Sequence, residues 1–276
     1  MALSMLTNVS SLGAQRNLAK TSNQVAKNVA RLSSGMRINK SADDAAGLAI
    51  TSKMSAHIRG LSQSKRNAND AISLIQTAEG GLNEINSLLT RMRELSVQAA
   101  TGGTLVTSDR SALNQEFQAL ESEINRIVEV TKYNGQELLN GAISSGVSFQ
   151  VGIVNTTNDR VTLSVLSATA TTLGTGSQTL GTASAAQSAI TAVDSAISNV
   201  ATRRNTLGSA QNRLTVTISN LGSIHENLSA ANSRIRDVDV AAETADMSRN
   251  QILMQAGVSV LSQANQMPGM VLSLLG

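Results

Sequence analysis

From Ala186 to Ile235, one position in every seven is apolar without exception: Ala186, Val193, Val200, Leu207, Leu214, Leu221, Leu228 and Ile235. A second seam, offset by four, begins apolar with Ile190 and Ile197 and becomes mixed through Arg204, Gln211, Ile218, His225 and Asn232. Apolar residues sustained at heptad spacing predict a coiled-coil helix. Fifty residues at helical rise span roughly 75 Å, too long for the core of an ordinary globule, so partner helices must lie alongside. Upstream, Ile75, Leu82 and Leu89 alternate with Ala78, Ile85 and Met92, and Leu113, Leu120 and Ile127 alternate with Phe117 and Ile124. The ThrGlyGlyThr stretch at 101–104 between them reads as a turn. These patterns predict helices near 43–99, 107–130 and 183–235. Ser41 followed by Asp44 suggests a capping box at the start of the first.

Both ends of the chain read as further helices. The first 34 or so residues place Leu18, Val25, Val29 and Leu32 on one face and stop at Ser34–Gly35, with 35–42 as a linker. A helix near 240–266 has Ile252, Leu253, Ala256, Val260 and Leu261 on its apolar side and is expected to end before Pro268–Gly269, followed by Val271, Leu272, Leu274 and Leu275. Between the bundle helices, Val147, Phe149, Val151 and Ile153 alternate with polar residues, as do Val161, Leu163 and Val165. Period-two runs joined by AsnThrThrAsnAsp predict a β-hairpin near 147–165. Residues 167–182, rich in Thr and Gly, read as a loop. The expected fold is mainly α: a long antiparallel coiled-coil bundle with one β-hairpin over 43–236, plus a terminal two-helix coiled coil formed by 1–42 and 237–276.

Composition sharpens this. Among 276 residues there is one proline, Pro268, which leaves long helices unbroken. No cysteine is present, which excludes disulfides, thiolate metal sites and thiol catalysis. Three aromatics, Phe117, Tyr133 and Phe149, are too few for base-stacking platforms or an aromatic-lined cofactor pocket. No apolar run approaches the roughly 18 residues of a membrane span, and MALSMLTNVSS lacks the basic and apolar regions of a secretory signal peptide. Net charge is +3, but residues 1–66 carry ten basic and two acidic side chains, a net of +8, leaving −5 for the rest. No charged residue follows Arg249. A charge-free end too polar for a membrane calls for a protein environment, so both ends are expected to be buried against other protein.

Few residues invite a chemical reading. His225 falls on the seam and His57 on a helix surface, with no second ligand for a metal near either. Asp43 and Asp44 form a carboxylate pair that helix capping accounts for. Gly80–Gly81 and Gly102–Gly103 lack the strand–loop–helix setting of a phosphate cradle. The basic residues Arg16, Lys20, Lys27, Arg31, Arg37 and Lys40 are spaced singly on an amphipathic helix without interleaved aromatics. That pattern favours pairing with acidic protein surface over a nucleic-acid arm. Arg204, Gln211 and Asn232 on the seam are expected to fix packing register. No catalytic residue, cofactor site or metal site is expected.

Several long segments closely resemble bacterial flagellin: NVARLSSGMRINKSADDAAGLAI at 28–50, SLLTRMRELSVQAATG at 87–102, KYNGQELLNG at 132–141 and the stretch from Asn227 to Leu275. The resemblance spans nearly the whole chain except its low-complexity middle. It implies a short form, in which residues 167–182 stand where family members insert variable outer domains. It also implies a folded-back structural subunit of the flagellar filament, an extracellular helical homopolymer serving motility. Polymerisation is expected to engage Leu18, Val25, Val29 and Leu32 with Ile252, Leu253, Val260 and Leu261.

The same resemblance implies export through a flagellar type III channel without a cleaved signal peptide. The implied partners are an export chaperone at the C-terminal helix, the filament cap and hook-junction proteins, and a host Toll-like receptor contacting Arg91, Leu95 and Glu116; nucleic acid and membrane are not among them. A signalling coiled coil of the chemoreceptor type is the competing reading, but the transmembrane segment or sensor module it requires is missing from the sequence. An enzyme lacks a nucleophile–base or metal set.

Overall fold

A computed structural model describes residues 7–103 and 105–275, with side chains as far as Met267. In chain order the elements are α1 (Val9–Ser34), α2 (Ala45–Ala99), α3 (Thr107–Val130), β1 (Lys132–Tyr133), β2 (Gln136–Glu137), β3 (Val147–Gln150), β4 (Arg160–Leu163), α4 (Ala170–Leu173), α5 (Ala183–Arg236) and α6 (Val240–Leu275). The chain forms two compact units, one of residues 57–226 and one joining residues 1–56 to 227–276.

In the 57–226 unit the predicted seams are the core. Ile75, Ala78, Leu82, Ile85, Leu89 and Met92 of α2 are buried against Phe117, Ile124 and Val128 of α3 and Ala186, Val193, Val200, Leu207 and Leu214 of α5. The second α5 seam differs from expectation. Ala189 and Ala196, offset by three, are fully buried, whereas Ile190 and Ile197 are only half-buried. Residues of three helices share this core, in which the small Ala189 and Ala196 take inner positions and Ile197 packs against the flank. Arg204 reaches Glu79 at 3.5 Å, and Arg93 meets Asp194 at 2.6 Å near the other end of the same helix pair. Gly81 has a steric reason: a Cβ there would lie 2.7 Å from Thr131 Oγ1 and 2.8 Å from Leu139 Cδ1.

The hairpin β3–β4 forms in antiparallel register, Val147 opposite Leu163 and Gln150 opposite Arg160. Ser64 Oγ donates to the Gly152 carbonyl at 3.0 Å and Asn67 Nδ2 to that of Gln150 at 2.9 Å, which holds the hairpin on α2. A second, two-residue hairpin was not expected. β1 and β2 pair around Asn134 and Gly135, both with positive φ (49° and 79°). Asn-Gly between short strands is the usual signal for such a turn. The stretch 167–182 is not simply a loop. It contains α4, and Ala168, Ala170, Leu173, Thr175 and Leu180 are buried. Asn125 and Asn114 of α3 accept the backbone N–H groups of Ala170 and Leu180 at 3.0 and 2.8 Å. Low complexity concealed a packed segment because two asparagines elsewhere in the chain satisfy its backbone.

In the unit of the chain ends, α1 is capped by Asn8, whose side chain accepts from Ser11 N, and stops at Gly35 in the left-handed region (φ 69°). The predicted linker is docked rather than loose. Arg37 N donates to Arg236 O at 2.7 Å, Val238 N to Gly35 O at 3.0 Å, and Ile38 is buried. The cap of α2 is Asp44 itself, accepting from Gly47 N at 2.8 Å. Ser41 lies outside the helix, so the expected Ser41–Asp44 box does not form; Asp43 instead accepts from the N–H groups of Lys40 and Asn39. Those bonds, Lys40's first, hold the Asp43 carboxyl below the usual carboxylate range. The expected stop before Pro268 is also corrected, since α6 continues to Leu275. The expected apolar side chains at 271–275 lie outside the described side chains.

Candidate functional site

Helices α1 and α6 pack along a heptad seam. From α1 it takes Ser11, Leu18, Val25 and Leu32 with Ala14, Thr21 and Asn28, and from α6 Glu243, Asn250, Gly257 and Ala264 with Met247, Met254 and Leu261; each of these is buried or half-buried. Unusually for a coiled coil, the tightest contacts are polar. Asn28 Nδ2 donates to Glu243 Oε1 at 2.5 Å, and Asn250 Nδ2 donates to Asn28 Oδ1 at 3.1 Å. Arg31 approaches Glu243 at 3.7 Å, and Ser11 Oγ donates to Asn265 Oδ1 at 2.6 Å.

Apolar bulk points the other way. Val9, Leu12, Val29, Ile252, Leu253, Val258, Val260 and Met267 are exposed, Ile252 by 66%. Of the eight residues singled out for polymerisation, Leu18, Val25, Leu32 and Leu261 sit half-buried in the seam, while Val29, Ile252, Leu253 and Val260 face outward. The two sets do not form one face as the sequence suggested. Seven-residue spacing from Ser11 and from Glu243 was legible, but several seam positions carry Ser, Asn, Glu and Gly, which a search for apolar periodicity passes over.

A coiled coil whose seam mixes hydrogen-bonded polar groups with half-buried apolar ones, and which leaves further large apolar groups outside, is specified in register but weakly driven. Burial of the exposed residues is worth about 1.5–3 kcal/mol for each large side chain fully removed from water. That free energy is available only to a surface supplied by another molecule.

The residues marked for receptor contact lie in the other unit. Arg91 Nε and Nη2 both donate to Glu116 Oε1, at 2.9 and 2.8 Å, and Nη1 donates to Glu94 at 2.9 Å. These bonds, Glu116's first, raise the Arg91 guanidinium above its ordinary range. Arg91 and Glu116 lie at the surface, whereas Leu95 is buried in the core and not presented with them. His57 is exposed and His225 half-buried. Among the described residues no group of three His, Asp or Glu is placed to hold a metal ion, and no helix is long and apolar enough to cross a membrane.

Comparison with known proteins bears on this arrangement. The family model for the bacterial flagellin N-terminal helical region matches residues 5–144, and that for the C-terminal helical region matches residues 190–275. Flagellin of Halalkalibacterium halodurans is 47% identical over 97% of this chain and 98% of its own length. Flagellin of Bacillus subtilis is 40% identical over the same shares. The crystal structure of Bacillus cereus flagellin superposes with a TM-score of 0.50 at 31% identity, covering 60% of this chain and 94% of that one. Long heptad helices folded back on themselves, terminal helices with unspent apolar faces and these matches agree: the chain belongs to the bacterial flagellin family, structural and non-enzymatic subunits of the flagellar filament, and is a short form without the variable outer domains.

Proposed function

We propose that the unit of chain ends, expected as 1–42 with 237–276, forms the inner layer of the filament, and that its order is completed only by neighbouring copies. The bundle expected at 43–236 forms the next layer outward. The observation that carries this is the outward set Val29, Ile252, Leu253 and Val260 around a mixed, only partly buried seam. Ordering two long helices costs conformational entropy that such a seam offsets only in part, and burial against several neighbours supplies the rest. A subunit whose ends are weakly held alone stays monomeric until it meets a growing tip.

The same weak hold suits export of an unfolded or partly folded chain through the flagellar type III channel. It leaves α6 open to an export chaperone beforehand and delivers the subunit to the filament cap and, at the first turns, to the hook-junction proteins. Chains lacking residues 1–40 or 237–276 are expected to remain monomeric in seeded polymerisation followed by electron microscopy, while circular dichroism retains the bundle. Filaments of normal length from either truncation would overturn the proposal.

A second reading concerns the host. The exposed Arg91–Glu116 pair supports recognition of the monomer by the flagellin-sensing Toll-like receptor, with Leu95 buried in the core of the same unit. A receptor reporter assay is expected to respond to the monomer and to lose most of that response with Arg91→Ala, while thermal stability changes by less than about 1 kcal/mol, as for an exposed pair. No response to the unaltered monomer would sink this reading.

A further inference from the structure

The 57–226 unit carries two apolar features far apart on one helix. At the end of α2, the turn into α3 is clamped by Arg110, which donates to the carbonyls of Ala99, Leu105 and Thr101 at 3.2, 3.1 and 2.9 Å. The clamp leaves Val106 projecting, 61% exposed, at the start of α3. Asp109 binds back to the Val106 N–H at 3.2 Å and places one negative charge beside it. This is an exposed apolar knob beside a hydrogen-bonded turn.

Near the other end of the same stretch of α2, the hairpin tip and α5 enclose a cleft of about 390 Å³. Leu61, Ile153, Val216, Leu221 and Ile224 supply its apolar walls, and Arg160 and Arg213 stand among its polar ones. Val216 is 70% exposed, Ile224 41% and Ile153 37%, so three large apolar residues of the cleft are left to water. Ser64 and Asn67 hold the hairpin in place over it. Neither arginine forms an ion pair among the described residues, and the one acid in the lining, Asp159, already accepts from Thr156 Oγ1 at 2.8 Å.

Leu61 and Ala99 are 38 residues apart on one continuous helix, about 57 Å at helical rise. The knob therefore cannot reach the cleft of its own chain. We propose that Val106 of one copy docks into the hairpin cleft of the next, with Asp109 approaching Arg213. The contact is heterologous: each copy offers a knob at one end and a cleft at the other. Repetition of such a contact without closure generates a filament rather than a closed oligomer. Apolar knob, apolar cleft and opposite flanking charges all select a second copy of this chain as the occupant. This inference rests on the filament reading and assigns the surfaces that join subunits end to end.

The absence of native cysteine makes the test direct. A Val106→Cys, Val216→Cys double variant is polymerised, oxidised mildly and run on a non-reducing gel. The expected result is a ladder of covalent oligomers from filaments that collapses on reduction. Neither single variant should give a ladder, nor should dilute monomer of the double variant. Filaments of the double variant that release only monomer would overturn the contact, as would mass-spectrometric mapping of the Val106→Cys link to another part of a second copy. Val106→Asp, at an exposed position, is expected to leave the circular dichroism spectrum unchanged and to raise the critical concentration for polymerisation about tenfold; an unchanged critical concentration would refute the docking. Failure of the unaltered chain to polymerise at all would instead overturn the filament reading, and the two failures are thereby distinguished.

Discussion

Asn8 donates its side-chain amide to the carbonyl of Ala264 at 2.8 Å, across the seam between α1 and α6. Four residues beyond Ala264 stands Pro268, whose nitrogen carries no hydrogen and leaves that carbonyl without its helical donor. The same Asn8 side chain accepts from Ser11 N through its oxygen. One residue thus caps the start of α1 and supplies a hydrogen bond to the α6 carbonyl that Pro268 leaves without a helical donor.

Asn8→Ala is therefore expected to cost more than an ordinary cap. Loss of a cap costs about 0.5–2 kcal/mol, and an unpaired Ala264 carbonyl adds to it. Hydrogen exchange should show faster opening in the first turns of α1 and in α6 around 264–268 together. Acceleration confined to α1 would separate the two roles and refute the coupling.

Glu243 accepts from Asn28 and faces Arg31 within the seam. Glu243→Ala leaves both donors without their acceptor and is expected to weaken the α1–α6 pairing by about 1–3 kcal/mol. The paired change Asn28→Leu with Glu243→Leu should instead hold the helices together while relaxing their register. Cysteine cross-linking across the seam distinguishes the outcomes: one product for the unaltered chain, several for the double leucine variant.

Gly80 and Gly81 are adjacent in α2 and should respond oppositely to alanine. A Cβ at Gly80 meets nothing within 4 Å, whereas at Gly81 it meets Thr131 and Leu139. Gly80→Ala is expected to stabilise the bundle by up to about 1 kcal/mol through helix propensity. Gly81→Ala should lower the melting temperature despite the same gain. Thermal unfolding of the two variants checks the sign of each.

Core truncation sets the scale for these effects. Leu82→Ala, at a fully buried seam position, is expected to destabilise the 57–226 unit by about 2–5 kcal/mol. Chemical denaturation should show this as a lower midpoint with an unchanged slope.

Asp43 gives a pH prediction. Its carboxyl is held low by the Lys40 and Asn39 N–H groups. The folded value lies below the unfolded one, so the contribution to stability is present above the unfolded pKa and disappears as pH falls through the folded pKa. NMR titration should find Asp43 protonating at lower pH than an ordinary aspartate. Asp43→Asn should reduce the acid sensitivity of the 36–44 segment.

Sequence alone determined the long helices and their inward faces. Seven-residue spacing from Ala186 to Leu221 and from Ile75 to Leu89 reports which side of a helix is buried whatever it is buried against. The family was legible too, because the segments around Arg31, Arg91 and Arg234 are long and specific. Tertiary structure decided what depends on groups distant along the chain. Residues 167–182 fold because Asn114 and Asn125 pair their backbone. The Ala264 carbonyl that Pro268 leaves unpaired in α6 is bonded by Asn8, 256 residues from Ala264. Ala189 rather than Ile190 lines the inner seam because three helices meet there. The terminal helices show the difference most clearly: periodicity marks Ile252 and Leu253 as apolar, but only the packing of α1 on Ser, Asn and Glu positions of the seam leaves them facing outward. A hydrophobic residue states that it prefers to be buried; which molecule buries it is a property of three-dimensional contacts.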